Sequence, residues 1–181
     1  TKIFRASSWI DDIRKYEATL TNLLGAMNDF VLAQPPKPYE GDNKLRMISA
    51  IPVTDETLSQ LKTRFNVPKF NELFGMTECN LPVARPFDAP EEAGCSGKVW
   101  DDYFEVIIGD PETDEELPVG EVGEILVRPK EPYCFMQGYN GMPEMTVQTW
   151  RNLWFHTGDA GRQDERGYIW YIDRIKDTIR R

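Results

Sequence analysis

Apolar residues recur at helical spacing through residues 8–27, with Trp9, Ile13 and Tyr16 in one stretch and Leu20, Leu23, Leu24 and Met27 in the next. The pattern predicts a helix, a short strand over 18–21 and a second helix, with Ser7 or Ser8 as the N-cap, where a side-chain oxygen can accept from a free first-turn amide. Residues 34–42 cannot continue a helix, because Pro35, Pro36 and Pro38 remove donors and fix the backbone. The apolar run 45–51 reads as a strand stopped by Pro52. Thr54-Asp55-Glu56-Thr57 then opens a helix with Leu58, Leu61 and Phe65 on one side. Residues 67–74 read as a further strand that delivers Gly75-Met76-Thr77-Glu78 to its C-terminal end, where open α/β sheets hold their ligands.

After Pro86 the period changes. Residues 97–108, 122–128 and 167–173 alternate apolar and polar positions between Gly, Pro and Asp turns, which predicts an antiparallel β unit. Met142-Pro143-Glu144 starts a short helix through Trp150, with proline at a first-turn position it tolerates. The acidic run 110–116 reads as a solvated hairpin loop without function. Trp9, Trp100, Trp150, Trp154 and Trp170 read as core material. The fold class is therefore α/β (α+β): a partial α/β sheet layer over 1–87, followed by a small antiparallel β-barrel-like subdomain over 88–173 and a short segment 174–181.

Composition narrows the function classes. The 181 residues suffice for one domain or two small units. A net charge of −9, from 30 acidic against 21 basic residues, argues against nucleic acid as a partner, since phosphate backbones are met by clustered Lys and Arg. Cys79, Cys95 and Cys134 are odd in number and lack a CxxC spacing, so they predict reduced thiols rather than a disulfide framework or a zinc site. No apolar run is long enough to span a bilayer and Thr1-Lys2-Ile3-Phe4-Arg5 has no signal-peptide pattern, so a cytoplasmic protein is expected. The start at Thr1 rather than methionine suggests truncation.

The chemistry lies in a set of short motifs. Thr77 offers a hydroxyl at the end of a strand and Glu78 a hard carboxylate oxygen, a pair suited to a phosphate beside Mg2+, while Gly75 would let the loop approach a ligand closely. Alone, such a pair is more readily a strand-end turn with a helix-capping Thr-Glu pair. Asp159 follows Thr157-Gly158, where a carboxylate on a Gly-containing turn can accept from both hydroxyls of a ribose. A hairpin would bring Arg174 beside it, to reach ribose or phosphate oxygens or to form a plain Asp159–Arg174 salt bridge. His156 has no Ser or Cys nucleophile motif near it and reads as packing beside Trp154 and Phe155, not as a general base.

The ordered set Phe74-Gly75-Met76-Thr77-Glu78, His156-Thr157-Gly158-Asp159 and Asp173-Arg174-Ile175-Lys176-Asp177 resembles the adenylate-forming superfamily. That superfamily comprises acyl-CoA synthetases, nonribosomal peptide synthetase adenylation domains and beetle luciferases. The phrases around Trp154 to Asp159, with the helix text near Tyr16 to Met27, are most similar to crotonobetaine/carnitine and related acyl-CoA ligases. The resemblance covers almost the whole chain, which matches well under half of a typical member.

The resemblance implies that Thr77 contacts the α-phosphate, Glu78 holds Mg2+, Phe74 stacks on adenine in place of the usual Tyr, and Asp159 binds the ribose, with Arg174 among the nucleotide-binding residues. Ser49-Ala50-Ile51-Pro52 stands where the family has Gly-Gly-Ala-Pro, the backbone wall against adenine, and departs from it by adding two side chains. Asn22, Leu24, Gly25 and Met76 fall in the region that lines the acyl pocket, although core packing accounts for the same apolar residues. Lys176 matches the hinge to a C-terminal domain absent here, as is the phosphate loop that would hold the ATP β- and γ-phosphates. The implied activity of the parent is ligation of a small-molecule carboxylate to coenzyme A through an acyl-adenylate, with ATP, AMP and Mg2+; the fragment itself would be inactive. Alternatives are a ligase that loads a carrier protein, an AMP-binding module without catalysis, and an inert scaffold. An open sheet edge left by truncation is a route to a homo-oligomer.

Overall fold

The computed structural model describes residues 3–51, 53–89 and 91–175; Pro52 of the adenine-wall segment and Lys176 of the hinge lie outside the described residues. The chain divides into two units, residues 1–72 with 87–94 and residues 73–86 with 95–181.

In the first unit a 3-10 turn, Ala6–Ser8, leads into α1 (Trp9–Lys15), β1 (Leu20–Leu24), α2 (Met27–Leu32), β2 (Met47–Ile51), α3 (Asp55–Phe65) and β3 (Lys69–Asn71). The strands pair parallel in the order β1-β2-β3. Alternate strand residues, Leu23 opposite Ala50 and Ile48 opposite Phe70, face the core with Trp9, Ile13, Val31, Leu58, Leu61 and Phe65. Thr54 is extended and caps α3 by accepting from the Thr57 amide at 3.1 Å, and Asn66 ends the helix in the left-handed region. Ser8 does not cap α1. The 3-10 turn leaves it at φ −108°, ψ −2° rather than extended, and its hydroxyl donates to Arg5 O instead.

One side chain closes the C-terminal end of α2. Arg64 donates to Leu32 O at 2.7 Å and Gln34 O at 2.8 Å, and its fork meets both oxygens of buried Glu40 at 2.7 and 2.8 Å. Helix-end carbonyls that would otherwise be orphaned are thus satisfied, and the guanidinium holds the Glu40 carboxyl below its ordinary range.

The second unit is β-rich: β4 (Leu73–Met76), β5 (Asn80–Ala84), β6 (Cys95–Val99), β7 (Phe104–Gly109), β8 (Val122–Pro129), α4 (Pro143–Thr149), β9 (Trp150–Arg151), β10 (Trp154–Gln163) and β11 (Ile169–Arg174). Its antiparallel sheet runs β4-β5-β6-β11-β10-β8-β7, and β9 adds to β10. Phe74 from one end of that path and Phe104, Val106 and Ile108 from the other share a core with Ile125, Val127 and Ile169, so the sheet curls around one core. This is the barrel-like unit the alternating pattern predicts.

Several expectations need correction. The expected strand 67–74 breaks at buried Glu72, whose carboxylate accepts from the Gly94 amide; β3 pairs parallel before it and β4 antiparallel after it. The Phe74 to Glu78 motif consequently sits in the second unit, not in the α/β layer, and 87–94 return to the first. The run 97–108 breaks at a turn beginning with Trp100, which is 54% exposed. Trp9 alone of the tryptophans is fully buried; Trp154 and Trp170 lie under Arg128 and Arg162 instead. Among the described residues no helix is long and apolar enough to cross a membrane.

Candidate functional site

β4 and β5 form a hairpin whose connection is Thr77, Glu78 and Cys79. The Cys79 amide donates to Met76 O at 3.2 Å and Asn80 adopts φ +61°, the turn-plus-left-handed geometry of a three-residue loop. Thr77 is exposed and Glu78 half-buried at the tip. Glu78 Oε1 accepts from the Tyr139 hydroxyl at 3.1 Å, and Glu78 O from the Met136 amide at 2.8 Å. Burial and the Glu78 charge push the Tyr139 hydroxyl above its ordinary pKa. Gly75 has a role other than the expected one: a Cβ there would lie 2.2 Å from Asn80 O and 2.9 Å from Leu81 Cα. Glycine is required by the facing strand of the hairpin, not by a ligand.

Asp159 lies within β10, not on a free turn. From His156 opposite Leu126 to Ala160 opposite Glu124 the register of β10 against β8 shifts, and Thr157, Gly158 and Asp159 form the bulge, with Gly158 at φ +71°. On the other side Asp159 pairs in register with Arg174 of β11, as the hairpin reading predicts. Arg174 Nε stands 3.0 Å from Asp159 Oδ1, an ion-pair distance, yet no N–H of any described residue points at that buried oxygen. Burial pushes the Asp159 carboxyl up to about 6; Arg174 opposes this, while Glu124, Asp173 and Glu78 add to it. The Glu78 charge acts on Asp159, and both raise Cys79, which burial chiefly pushes up to about 12. The hairpin tip and the bulge are therefore within electrostatic reach of each other. Cys79 and Cys95 are buried free thiols.

Beside the bulge is an open cleft of about 720 Å3, lined in part by Tyr139, Arg151, His156, Gly158 and Arg174. His156 is not packing material. Its Nδ1 lies 2.9 Å from Glu124 Oε2 and 3.0 Å from Arg151, and its Nε2 3.7 Å from Asp114 Oδ2. Asp114, assigned to a solvated loop, in fact has a 7% exposed side chain and accepts from Arg151 and Asn152. Glu124, Tyr139, Asp114 and Arg151 stand in no linear motif; only strand register and loop closure bring them here.

The remaining candidates divide. Phe74 is 6% exposed and stacks on Tyr171 at 6.2 Å, so it belongs to the core as well as to the motif. Met76 is half-buried on β4. Asn22, Leu24, Gly25, Ser49, Ala50 and Ile51 lie in the first unit, where the Gly25 amide donates to Ile51 O at 2.7 Å and closes the C-terminal ends of β1 and β2. The Ala50 methyl faces the core, so it does not encroach on a ligand as the departure from glycine suggested; Ser49 faces the other way, in register with Asn22 and Asn71.

A family model described as AMP-binding enzyme matches residues 1–140. The medium/long-chain-fatty-acid–CoA ligase FadD17 of Mycobacterium marinum is 33% identical over 98% of this chain and 34% of its own. The crotonobetaine/carnitine–CoA ligase of Salmonella heidelberg is 31% identical over 98% of this chain and 34% of its own. ATP-bound MatB from Rhodopseudomonas palustris superposes with a TM-score of 0.80 at 29% identity, over 98% of this chain and 34% of that one. The chain thus spans about a third of the length of these relatives.

Proposed function

Because the chain belongs to the AMP-binding enzyme family, we propose that it supplies the nucleotide-holding part of an ATP-dependent acyl-CoA ligase. The observation that carries this reading is Asp159: a buried carboxylate, raised to about 6, with an oxygen that accepts no hydrogen bond from any described residue. Beside the Arg174 guanidinium, 3.0 Å away, that oxygen can still accept from a donor, and the vicinal hydroxyls of a ribose are two. Arg174, on the paired strand, adds a cation for ribose or phosphate oxygens. Thr77, exposed at the hairpin tip, presents a hydroxyl to the α-phosphate.

Glu78 fits Mg2+. Tyr139 occupies one of its oxygens and no described residue donates to the other. A Mg2+ ion held there would take this one carboxylate and complete its shell with phosphate oxygens and water. Bound there, the ion would neutralise phosphate charge.

In the proposed reaction a substrate carboxylate attacks the ATP α-phosphorus, the bond to the bridging oxygen breaks and pyrophosphate leaves. The coenzyme A thiol then attacks the acyl carbonyl and AMP departs. Asp159 and Arg174 fix the nucleoside and Thr77 orients the phosphate, which converts binding into alignment. The relatives named for fatty acids and for crotonobetaine/carnitine support a carboxylic acid as the acyl substrate.

The test is calorimetric titration of AMP, then of ATP with Mg2+, into the 181-residue chain, with Asp159→Ala as control. Losing two charge-assisted hydrogen bonds should weaken AMP by at least about tenfold. Equal affinity in the variant would overturn the assignment. For the full-length protein, pyrophosphate release that requires a carboxylic acid, and AMP and acyl-CoA formation that requires coenzyme A as well, are the expected activities.

A further inference from the structure

The bulge in β10 creates a local difficulty. Between His156 and Ala160 this strand holds two residues more than β8 holds between Leu126 and Glu124, so its backbone leaves the ladder. An amide that leaves the ladder in a buried place needs another acceptor. Gly158 finds one in a side chain: its N–H donates to Glu124 Oε1 at 2.8 Å. The other oxygen of the same carboxylate, Oε2, lies 2.9 Å from His156 Nδ1, on the strand just before the bulge. Glu124 is 5% exposed; Arg151 lies beside the same ring nitrogen, and Asp114 faces the other one. One buried carboxylate therefore grips the displaced segment at its apex and at its entry.

The rest of the bulge is tied by other groups. The Thr157 hydroxyl donates to Ile125 O at 2.7 Å and accepts from the Asp159 amide at 3.1 Å, and Arg174 Nη1 donates to Thr157 O at 3.0 Å. These fix Thr157 and the Asp159 backbone. None of them holds Gly158, whose φ of +71° is left-handed.

Resting on the nucleotide reading above, we propose that Glu124 is the positioning residue that holds the Thr157-Gly158-Asp159 bulge in shape and so presents the Asp159 carboxylate to the hydroxyls of a ribose. It does not touch the nucleotide; it acts through Gly158. Its charge reaches Asp159 as well. The groups around that carboxyl are Glu124 from β8, Arg174 and Asp173 from β11 and Glu78 from the hairpin tip, and Glu124 is among those that raise it.

Two variants separate positioning from mere packing. Glu124→Ala removes both contacts. Glu124→Gln keeps an acceptor for Gly158 and removes the charge. Nuclear magnetic resonance on the 181-residue chain would follow Gly158 amide exchange and the titration of the Asp159 carboxyl, with calorimetry for AMP. Glu124→Ala should speed Gly158 exchange and weaken AMP, each by about tenfold or more, if one buried hydrogen bond to a charged group is lost. Glu124→Gln should keep the protection, leave AMP affinity at pH 8 within about threefold, and shift the Asp159 midpoint to lower pH because a neighbouring anion is gone.

Unchanged Gly158 exchange and AMP affinity in Glu124→Ala would overturn the proposal. If Glu124→Ala does not fold, a Gly158 amide that exchanges freely in Glu124→Gln overturns it instead. A wild-type chain that binds no AMP would overturn the nucleotide reading, and Gly158 exchange would still decide whether Glu124 holds the bulge.

Discussion

Asp159 keeps its negative charge against the preference of its surroundings. Burial outweighs Arg174, and the folded chain holds the proton up to about pH 6 against an ordinary carboxylate value of 3.8. The folded state thus binds more protons than the unfolded state between these values, so stability is lost as pH rises from about 4 to about 6. Asp159→Asn should raise the melting temperature at pH 7.5, by about 1–3 kcal/mol of stability, and flatten the stability profile across that window. Thermal melts at stepped pH check this; an unaltered slope would mean that the carboxyl titrates normally. AMP affinity has the opposite dependence, falling as pH drops through about 6, because ribose hydroxyls donate to the ionised form. At this scale the pairing of Asp159 with Arg174 was readable from the sequence, because one hairpin carries both. Glu124 was not, since it is an ordinary strand residue until the β10 register brings it under Gly158.

Elements that depend on neighbours in sequence were legible, and those that depend on partners across the sheet were not. Thr54 and the Leu58, Leu61, Phe65 stripe define α3 locally, and the Pro35, Pro36 and Pro38 loop has no regular element. The break at Glu72 depends on the distant Gly94 amide, and nothing in residues 67–74 announces it. The same holds for β10, where the pattern suggests a turn at Gly158 and the structure has one strand, Trp154–Gln163, with a bulge. The β4–β5 hairpin offers a test of tight fit. Gly75→Ala would drive a methyl against Asn80 O at 2.2 Å, backbone that belongs to the paired strand and cannot swing aside. The hairpin must splay, and the variant should lose about 2–4 kcal/mol, or roughly 5–15 °C in melting temperature. A wild-type melt would show that the hairpin yields more easily than this packing implies.

Across the whole molecule, the expected boundary at residue 87 falls in the wrong place because the first unit is not one continuous stretch. Residues 87–94 return to it: Glu91 accepts from the Phe70 amide at 2.9 Å and pairs with Lys62, and Ala89 O accepts from Lys69 at 3.3 Å. Only the path of the chain shows this interleaving. Glu91→Ala should destabilise the first unit by about 1–3 kcal/mol, since β3 loses a charged acceptor for a backbone amide. Faster Phe70 exchange with a lower melting temperature is the expected result, and unchanged exchange would sink it. The interleaving also sets an order of events during synthesis. The first unit cannot be completed until residue 94 has left the ribosome, and by then the Leu73–Met76 and Asn80–Ala84 hairpin is already outside without β6, β11 or β10 to pair with. The segment that carries Thr77 and Glu78 is therefore made early and finds its sheet late.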